Sequence, residues 1–359
     1  MNALESFAPL SLQESYDNSG LLVGDANEKI KGALLTLDCT EAVVLEAKKK
    51  KCNLIIAHHP IIFSGIKSIT NKTYNERVLH LAIQNNISIY AAHTNMDNTL
   101  KGVNWIMADK LKLQKRNILS PLSGRIMKLQ TYVPTQYKES LLQALFDSGA
   151  GEIGNYSECS FSSIGLGTFK GNEESNPTLG QAGVRSTEAE EKIELIFQQE
   201  REFEIVRALK ANHPYEEIAY DLLKLNNSNQ NIGSGLIGCL PKALSQAKFL
   251  ELVKKAFKTK VIRYTPISNK SVKNVALCGG SGSFLLQTAR NVGADAYISS
   301  DFKYHEFFDA ENDIIIADIG HFESEQYTPQ LFYGILSEKF PKFALYLSQE
   351  NTNPIKYYT

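Results

Sequence analysis

The spacing of apolar and polar positions changes twice along this chain. In the first stretch the apolar runs are short and continuous: GLLVGD (Gly20–Asp25), GALLTLD (Gly32–Asp38), NLIIAHH from Asn53 and ISIYAAHTNMD (Ile87–Asp97). Such runs predict strands buried on both faces. Between them, CTEAVVLEAKKKK has helical spacing behind an N-cap residue, Thr40, and NERVLHLAIQNN predicts a second helix. Strands alternating with helices predict an α/β fold with largely parallel sheets.

The middle stretch has a different rhythm. MKLQTYVP (Met127–Pro134) alternates like a half-buried strand, and YKESLLQALFDSG is a helix stopped at Gly149. CSFSSIGLGTF and EKIELIFQQ predict strands around a Gly/Asn/Ser/Pro-rich loop, REFEIVRALKANHP a helix, and EEIAYDLLKL a last strand. That order, β-α-β-β-α-β, is the split arrangement of ferredoxin-like domains. NNSNQNIGSG (Asn226–Gly235) reads as a linker. The predicted organisation is a split α/β core, 1–125 and 231–359, interrupted by a ferredoxin-like α+β domain, 126–230. The last segment returns to strand-then-helix units: NVALCGGSGSFLLQTARNVG, DAYISSDFKYHEFFDA and DIIIADIGHFESEQYTPQLFYGIL.

Composition narrows the class without naming a function. The 359 residues are 43% hydrophobic and 21% charged, with a formal net charge of -1, so neither nucleic acid nor an anionic membrane is expected as the main partner. The one basic run, Lys48–Lys51, ends a helix, where cations suit the dipole. The 5 cysteines include no CxxC, and most sit in apolar surroundings, which predicts reduced thiols and a cytoplasmic protein. No basic-then-apolar leader precedes the first strand, and no apolar stretch approaches the ~20 residues of a membrane span.

The chemistry gathers at strand ends. Of only 7 histidines, His58 and His59 stand side by side after LIIA. His93 and Asp97 follow ISIYAA, Asp301 and His305 follow AYISS, and His321 and Glu325 follow DIIIADIG. Ligands of open parallel sheets bind beyond the carboxyl ends of the strands, so clusters far apart in sequence can converge there. His321 and Glu325 stand at i, i+4 and face one way, whereas Glu323 points elsewhere. Adjacent His58 and His59 project differently, which suits one ligand to each of two ions, with Glu325 as the bridging carboxylate. Imidazole with carboxylate suits Zn, Fe, Mn, Ni or Co. His80 reads as helix packing and His213 as a turn residue. CGGSGS (Cys278–Ser283) offers either amides for an anion, from Gly280, Ser281, Gly282 and Ser283, or a tight strand–helix turn. Tyr16, Asp17 and Asn18 precede the first strand and are candidates to cap or shape the site from below, a choice that spacing leaves open.

The stretches SYDNSGLLVGD, IIAHHPIIF, AAHTNMDN, GGSGS, SDFKYHEFFDA and DIGHFESE span nearly the whole chain. In that order they resemble the GTP cyclohydrolase I type 2 homologs, hexameric proteins with a dinuclear metal centre. GNYSECSF, GTFKG and ANHPYEEIAYDL resemble the longer bacterial branch, whose insert is similar to the copper-tolerance and PII-signalling fold. The resemblance implies two divalent ions per chain, held by His58, His59, Asp97, His321 and Glu325. It implies that His93 and His305 line the same cleft, as proton-transfer or supporting residues. It implies a homohexamer, a trimer of dimers with inward-facing sites. The family name implies hydrolysis of a nucleotide or other small phosphate or amide substrate, with GTP imidazole-ring opening as the named reaction. A non-enzymatic regulatory or scaffold metal protein, acting through the insert, is the alternative. The N-terminus departs from the family pattern: relatives begin earlier, so either the first helix is short here or the start codon is misassigned.

Overall fold

The computed structural model describes residues 1–266 and 271–358. The chain forms two compact units, one from Met1–Pro121 with Gln230–Thr359 and the other from Leu122–Asn229.

The first unit is mixed α/β with two sheets. In the five-stranded sheet the order is Gly20–Val23, Ser88–Ala91, Leu54–Ala57, Ala33–Thr36, Leu345–Leu347. All neighbours run parallel except Gly20–Val23, which is antiparallel to Ser88–Ala91. The continuous apolar run of Leu54–Ala57 has a direct cause. Ile55 and Ala57 pack with Val43, Val44 and Val78 on one face, while Leu54 and Ile56 pack with Leu4, Met96 and Phe332 on the other. Both faces are dry, so no polar residue is tolerated until the strand ends. The helix Glu41–Lys49 starts where expected: Thr40 accepts from the Val43 amide at 3.2 Å.

The six-stranded sheet has the order Arg263–Tyr264, Ile315–Asp318, Ala296–Ser300, Val272–Ser281, Ser228–Leu244, Gln114–Ser123. Its centre is parallel, from Val272–Ser281 through Ala296–Ser300 to Ile315–Asp318. The expected linker at 226–235 is corrected here, because residues from Ser228 onward belong to the strand Ser228–Leu244. Glycine makes this possible. A side chain at Gly233, φ +152°, would collide with the Ser120 carbonyl, and one at Gly235, φ +66°, would crowd the Leu277 carbonyl. The polar, glycine-rich run is close backbone packing rather than a tether. Between Ala296–Ser300 and Ile315–Asp318 the expected helix is a 3-10 turn, Tyr304–Ala310.

The second unit is a four-stranded sheet with the order Phe161–Phe169, Ser186–Gln198, Ile126–Pro134, Tyr220–Leu225, every neighbour antiparallel. The helices Lys138–Asp147 and Glu202–Asn212 bury Leu141, Leu145, Ile205 and Leu209 against Leu129, Val133, Ile193 and Leu195. No helix among the described residues is long and apolar enough to cross a membrane.

Candidate metal centre

Each strand-end cluster of the first unit delivers side chains to one place. His58 and His59 leave the end of Leu54–Ala57, and Pro60 closes the turn behind them. His93 and Asp97 follow Ser88–Ala91, respectively just before and at the end of the short helix Thr94–Asp97. From the other sheet come His321 and Glu325, at opposite ends of the helix His321–Glu325.

Glu325 is the hub. It is 3% exposed, and its Oε2 lies 2.9 Å from His59 Nε2 and 3.1 Å from His321 Nε2. Its Oε1 faces the opposite way, 3.7 Å from His58 Nε2. His58 Nε2 is also 3.7 Å from Asp97 Oδ1. The donor atoms fall into three overlapping groups: His59, His321 and Glu325; His58, Asp97 and Glu325, which share that carboxylate; and His58, His59 and His93.

Every histidine here is fixed through its other nitrogen. His58 Nδ1 donates to the Ala92 carbonyl at 2.8 Å, which leaves the Nε2 lone pair free. His59 Nδ1 pairs with Asp38 Oδ1 at 2.7 Å, His321 Nδ1 with Asp301 Oδ2 at 2.6 Å, and His93 Nδ1 with Asp17 Oδ1 at 2.8 Å. An Nδ1 anchor on a carbonyl or carboxylate is how metal-binding imidazoles are oriented and made more basic. Asp38 is itself steadied by Thr352 Oγ1 at 2.6 Å, and Thr94 donates to Asp17.

The electrostatics follow from packing imidazoles and carboxylates together out of water. Burial opposes protonation of His59, yet its bonds to Asp38 and Glu325 push it up to about 10. Burial likewise opposes protonation of His321, but the Glu325 charge and the Asp301 bond push it up to about 11. Burial drives His58 down, toward the neutral form. Burial and the neighbouring Glu325 charge raise Asp97 well above the carboxylate range. Glu325 is held well below that range against its own burial, chiefly by His321. Metal ligands bind deprotonated, so a divalent cation held by these imidazoles would compete with their protons. A more direct sign is that His58 Nε2 and Asp97 Oδ1 are both buried without a hydrogen-bond partner. Buried polar atoms are rarely left so. Ligands about 2.0–2.2 Å from a common tetrahedral ion stand roughly 3.4 Å apart, so this donor set fits.

A cavity of about 430 Å³ opens over the cluster. Tyr16, Phe63 and Phe284 line it with exposed rings, and Gly280 and Ser281 form part of its wall. The glycine turn is used mainly inside the protein: the Gly279 amide donates to Asn104 Oδ1 and the Gly280 amide to Ser324 Oγ, both at 2.9 Å. Gly282 O accepts from Tyr297, and Ser283 Oγ donates to Glu306 Oε1.

The structure thus brings His58, His59, His93, Asp97, His321 and Glu325 together. It does not bring in His305, which is exposed on the 3-10 turn, packs against Tyr304 and Phe308, and is absent from the cavity lining. Sequence reasoning passed over the roles of Asp38 and Asn104. The one available signal for Asp38 was its place at the end of the apolar run GALLTLD.

The model of the family described as Duf34/NIF3 (NGG1p interacting factor 3) matches residues 1–354. A Staphylococcus epidermidis protein named GTP cyclohydrolase 1 type 2 homolog is 36% identical over 363 residues, covering 99% of this chain and 98% of its own. A Bacillus subtilis protein of the same name is 34% identical, covering 98% of this chain and 96% of its own. The crystal structure of a Bacillus cereus protein related to NIF3 superposes with a TM-score of 0.87 at 34% identity, covering 99% of this chain and 97% of that one.

Proposed function

Because the chain belongs to the Duf34/NIF3 family, we propose that it binds two divalent ions in a dinuclear site and acts as a metal-dependent hydrolase. The carrying observation is the two-sided use of Glu325, one oxygen toward His58 and the other toward His59 and His321. In this reading His58 and Asp97 would hold one ion and His59 and His321 the other, with Glu325 available to both. The donor set suits Zn, Fe, Mn, Ni or Co.

Bound there, the ions would supply Lewis-acid polarisation of a substrate oxygen and water activation near neutral pH. The residues of the chain do the rest. His93, with Nδ1 held by Asp17, keeps Nε2 for accepting or returning a proton beside the cluster. Asp38 and Asp301 keep the imidazoles of His59 and His321 in line. The rings of Tyr16, Phe63 and Phe284 suit a flat substrate, and Ser281 offers a hydroxyl at the wall. A purine nucleotide opened at its imidazole ring, as the relatives' name suggests, or another small phosphate or amide fits this lining. His305 lies outside the cavity lining and carries no role in this reading.

The proposal extends to assembly and place: a homohexamer, a trimer of dimers, in the cytoplasm. The insert is read as ferredoxin-like, supported by its β-α-β-β-α-β order and antiparallel sheet. A second reading, a regulatory metal protein without turnover, is favoured by one observation: the insert has a cavity of its own.

The test is metal content by mass spectrometry on wild type and Glu325→Ala, with molar mass measured on the same samples. Support would be about two ions per wild-type chain, lost in the variant with the assembly kept. Turnover is then assayed with GTP and a panel of phosphate esters and amides. Less than about half an ion per chain after reloading with each metal would sink the dinuclear site. Full loading with no turnover would favour the regulatory reading.

A further inference from the structure

The inserted unit carries a cavity of about 670 Å³, within the range of small-molecule sites. Strand alternation decides what lines it. Ile193 and Leu195 face the helices, so Glu190 and Lys192 face the other side of the sheet, where Tyr132 joins them at the cavity. The segments 170–178 and 214–217 complete its walls. They are tied together by Thr178 Oγ1 donating to the Pro214 carbonyl at 2.7 Å and the Asn176 amide donating to Glu216 Oε1 at 2.9 Å.

Glu190 is the unusual group. It is 8% exposed. Its Oε1 accepts from the Tyr215 hydroxyl at 2.6 Å, and its Oε2 accepts from no described residue. No described lysine or arginine forms an ion pair with it, since the nearby Lys192 is paired with Glu194 at 2.8 Å. Tyr215 is itself held, its amide donating to His213 Nδ1 at 3.2 Å while His213 Nε2 donates to the Tyr132 carbonyl at 2.9 Å. Across the ladder stand Gly165, directly opposite Glu190, and Gly167. A Cβ at Gly167 would collide with the Glu190 carboxylate, Oε2 first. The bare strand therefore leaves the carboxylate room and keeps Oε2 open to the cavity.

Glu190 has one neutral donor and no ion pair among the described residues, and its open Oε2 is an acceptor at which a cation would replace solvent. The carboxylate favours a cationic partner, and apolar groups stand beside it: Phe169 and Tyr215 have ring centroids 6.3 Å apart, with Leu166 and Ile164 near them, while Lys170, Lys192, Glu216 and Glu217 add charges of both signs to the lining. We propose that this cavity binds a small organic cation, an aromatic amine or amidinium. Its charged head pairs with Glu190, and its flat body lies against the glycine strand and the two rings.

The test is calorimetric titration of the full chain with benzamidinium, its neutral isostere benzamide, and benzoate. Benzamidinium should bind at least about tenfold tighter than benzamide, and benzoate weakest. Glu190→Gln should bring benzamidinium down to the benzamide level. Gly167→Ala, which presses on the same carboxylate, should weaken benzamidinium in the same direction. Metal content of each variant shows that the other unit is intact. If Glu190→Gln fails to fold, the wild-type amidinium-to-amide ratio and Gly167→Ala decide. Equal binding of amidinium and amide, unchanged binding in Glu190→Gln, or no benzamidinium binding at about 1 mM would overturn the proposal.

Discussion

His58 and Asp97 face each other without touching: Nε2 of one and Oδ1 of the other are 3.7 Å apart, both buried and neither hydrogen-bonded. The gap is too long for a hydrogen bond and suits two ligands of one ion. Asp97→Asn should therefore cost about one of two ions, whereas Glu325→Ala should cost both. Metal counting on the two variants side by side checks this. Retention of both ions by Asp97→Asn would assign that ion to other ligands.

The chain Thr352–Asp38–His59 reaches from the C-terminal segment to the cluster through contacts of 2.6 Å and 2.7 Å. Asp38→Asn removes the charge that orients His59, and a loss of about 10–100-fold in metal affinity is expected. Thr352→Val should act in the same direction and more weakly. Competition against a chelator of known affinity measures both. Unchanged affinity in Asp38→Asn would show that the tether is idle.

Gly280 has φ +63°, and a methyl group there would run into Glu325 Oε1. Gly293 has φ +74° but open space around it. Both alanine variants bear the left-handed backbone cost of about 1 kcal/mol. Only Gly280→Ala should also lose metal. Thermal melts with and without added ion separate the two effects, and equal metal loss in both variants would contradict the steric account.

Glu76 accepts from the Thr70 hydroxyl and from the Thr70 and Lys72 amides, and these bonds, led by the Thr70 hydroxyl, lower its carboxyl to about 2. A carboxylate lowered on folding contributes stability above its unfolded pKa, and that stability is lost as pH falls through the folded value. Between about pH 4.5 and 2 the segment at Thr70–Lys72 should loosen from the helix Tyr74–Gln84. Carbon-detected NMR titration of the Glu76 carboxyl reads the midpoint. A value near that of an unstructured peptide would show that these bonds do not persist in solution.

Strand ends were the most legible part of this chain. The run Leu54–Ala57 is apolar because both faces are covered, and its abrupt change to His58 and His59 marks where the covering stops. The i, i+4 spacing likewise makes it readable that His321 and Glu325 face one way. Asp38 was not legible as the anchor of His59, because the pair is 21 positions apart and depends on neighbouring strands aligning their ends. The strand at Ser228–Leu244 was hidden for the opposite reason. Its glycines look like a break locally, and only the approach of Ser120 and Leu277 shows what they permit. His305 shares a strand end with Asp301, but the 3-10 turn carries it away from the cavity.

The chain leaves its first unit along Gln114–Ser123 and returns along Ser228–Leu244, and these strands are neighbours in one sheet. Gly238 lies against Gln114 and Gly233 against Ser120, so they run in opposite directions. Departure and return are thus one strand spacing apart, about 4.8 Å, a gap that a tight hairpin turn can bridge. The segment between is topologically a cassette. Its chain enters and leaves at one place, so its presence or length changes neither the threading of the sheet nor the order of the strands that carry the histidines.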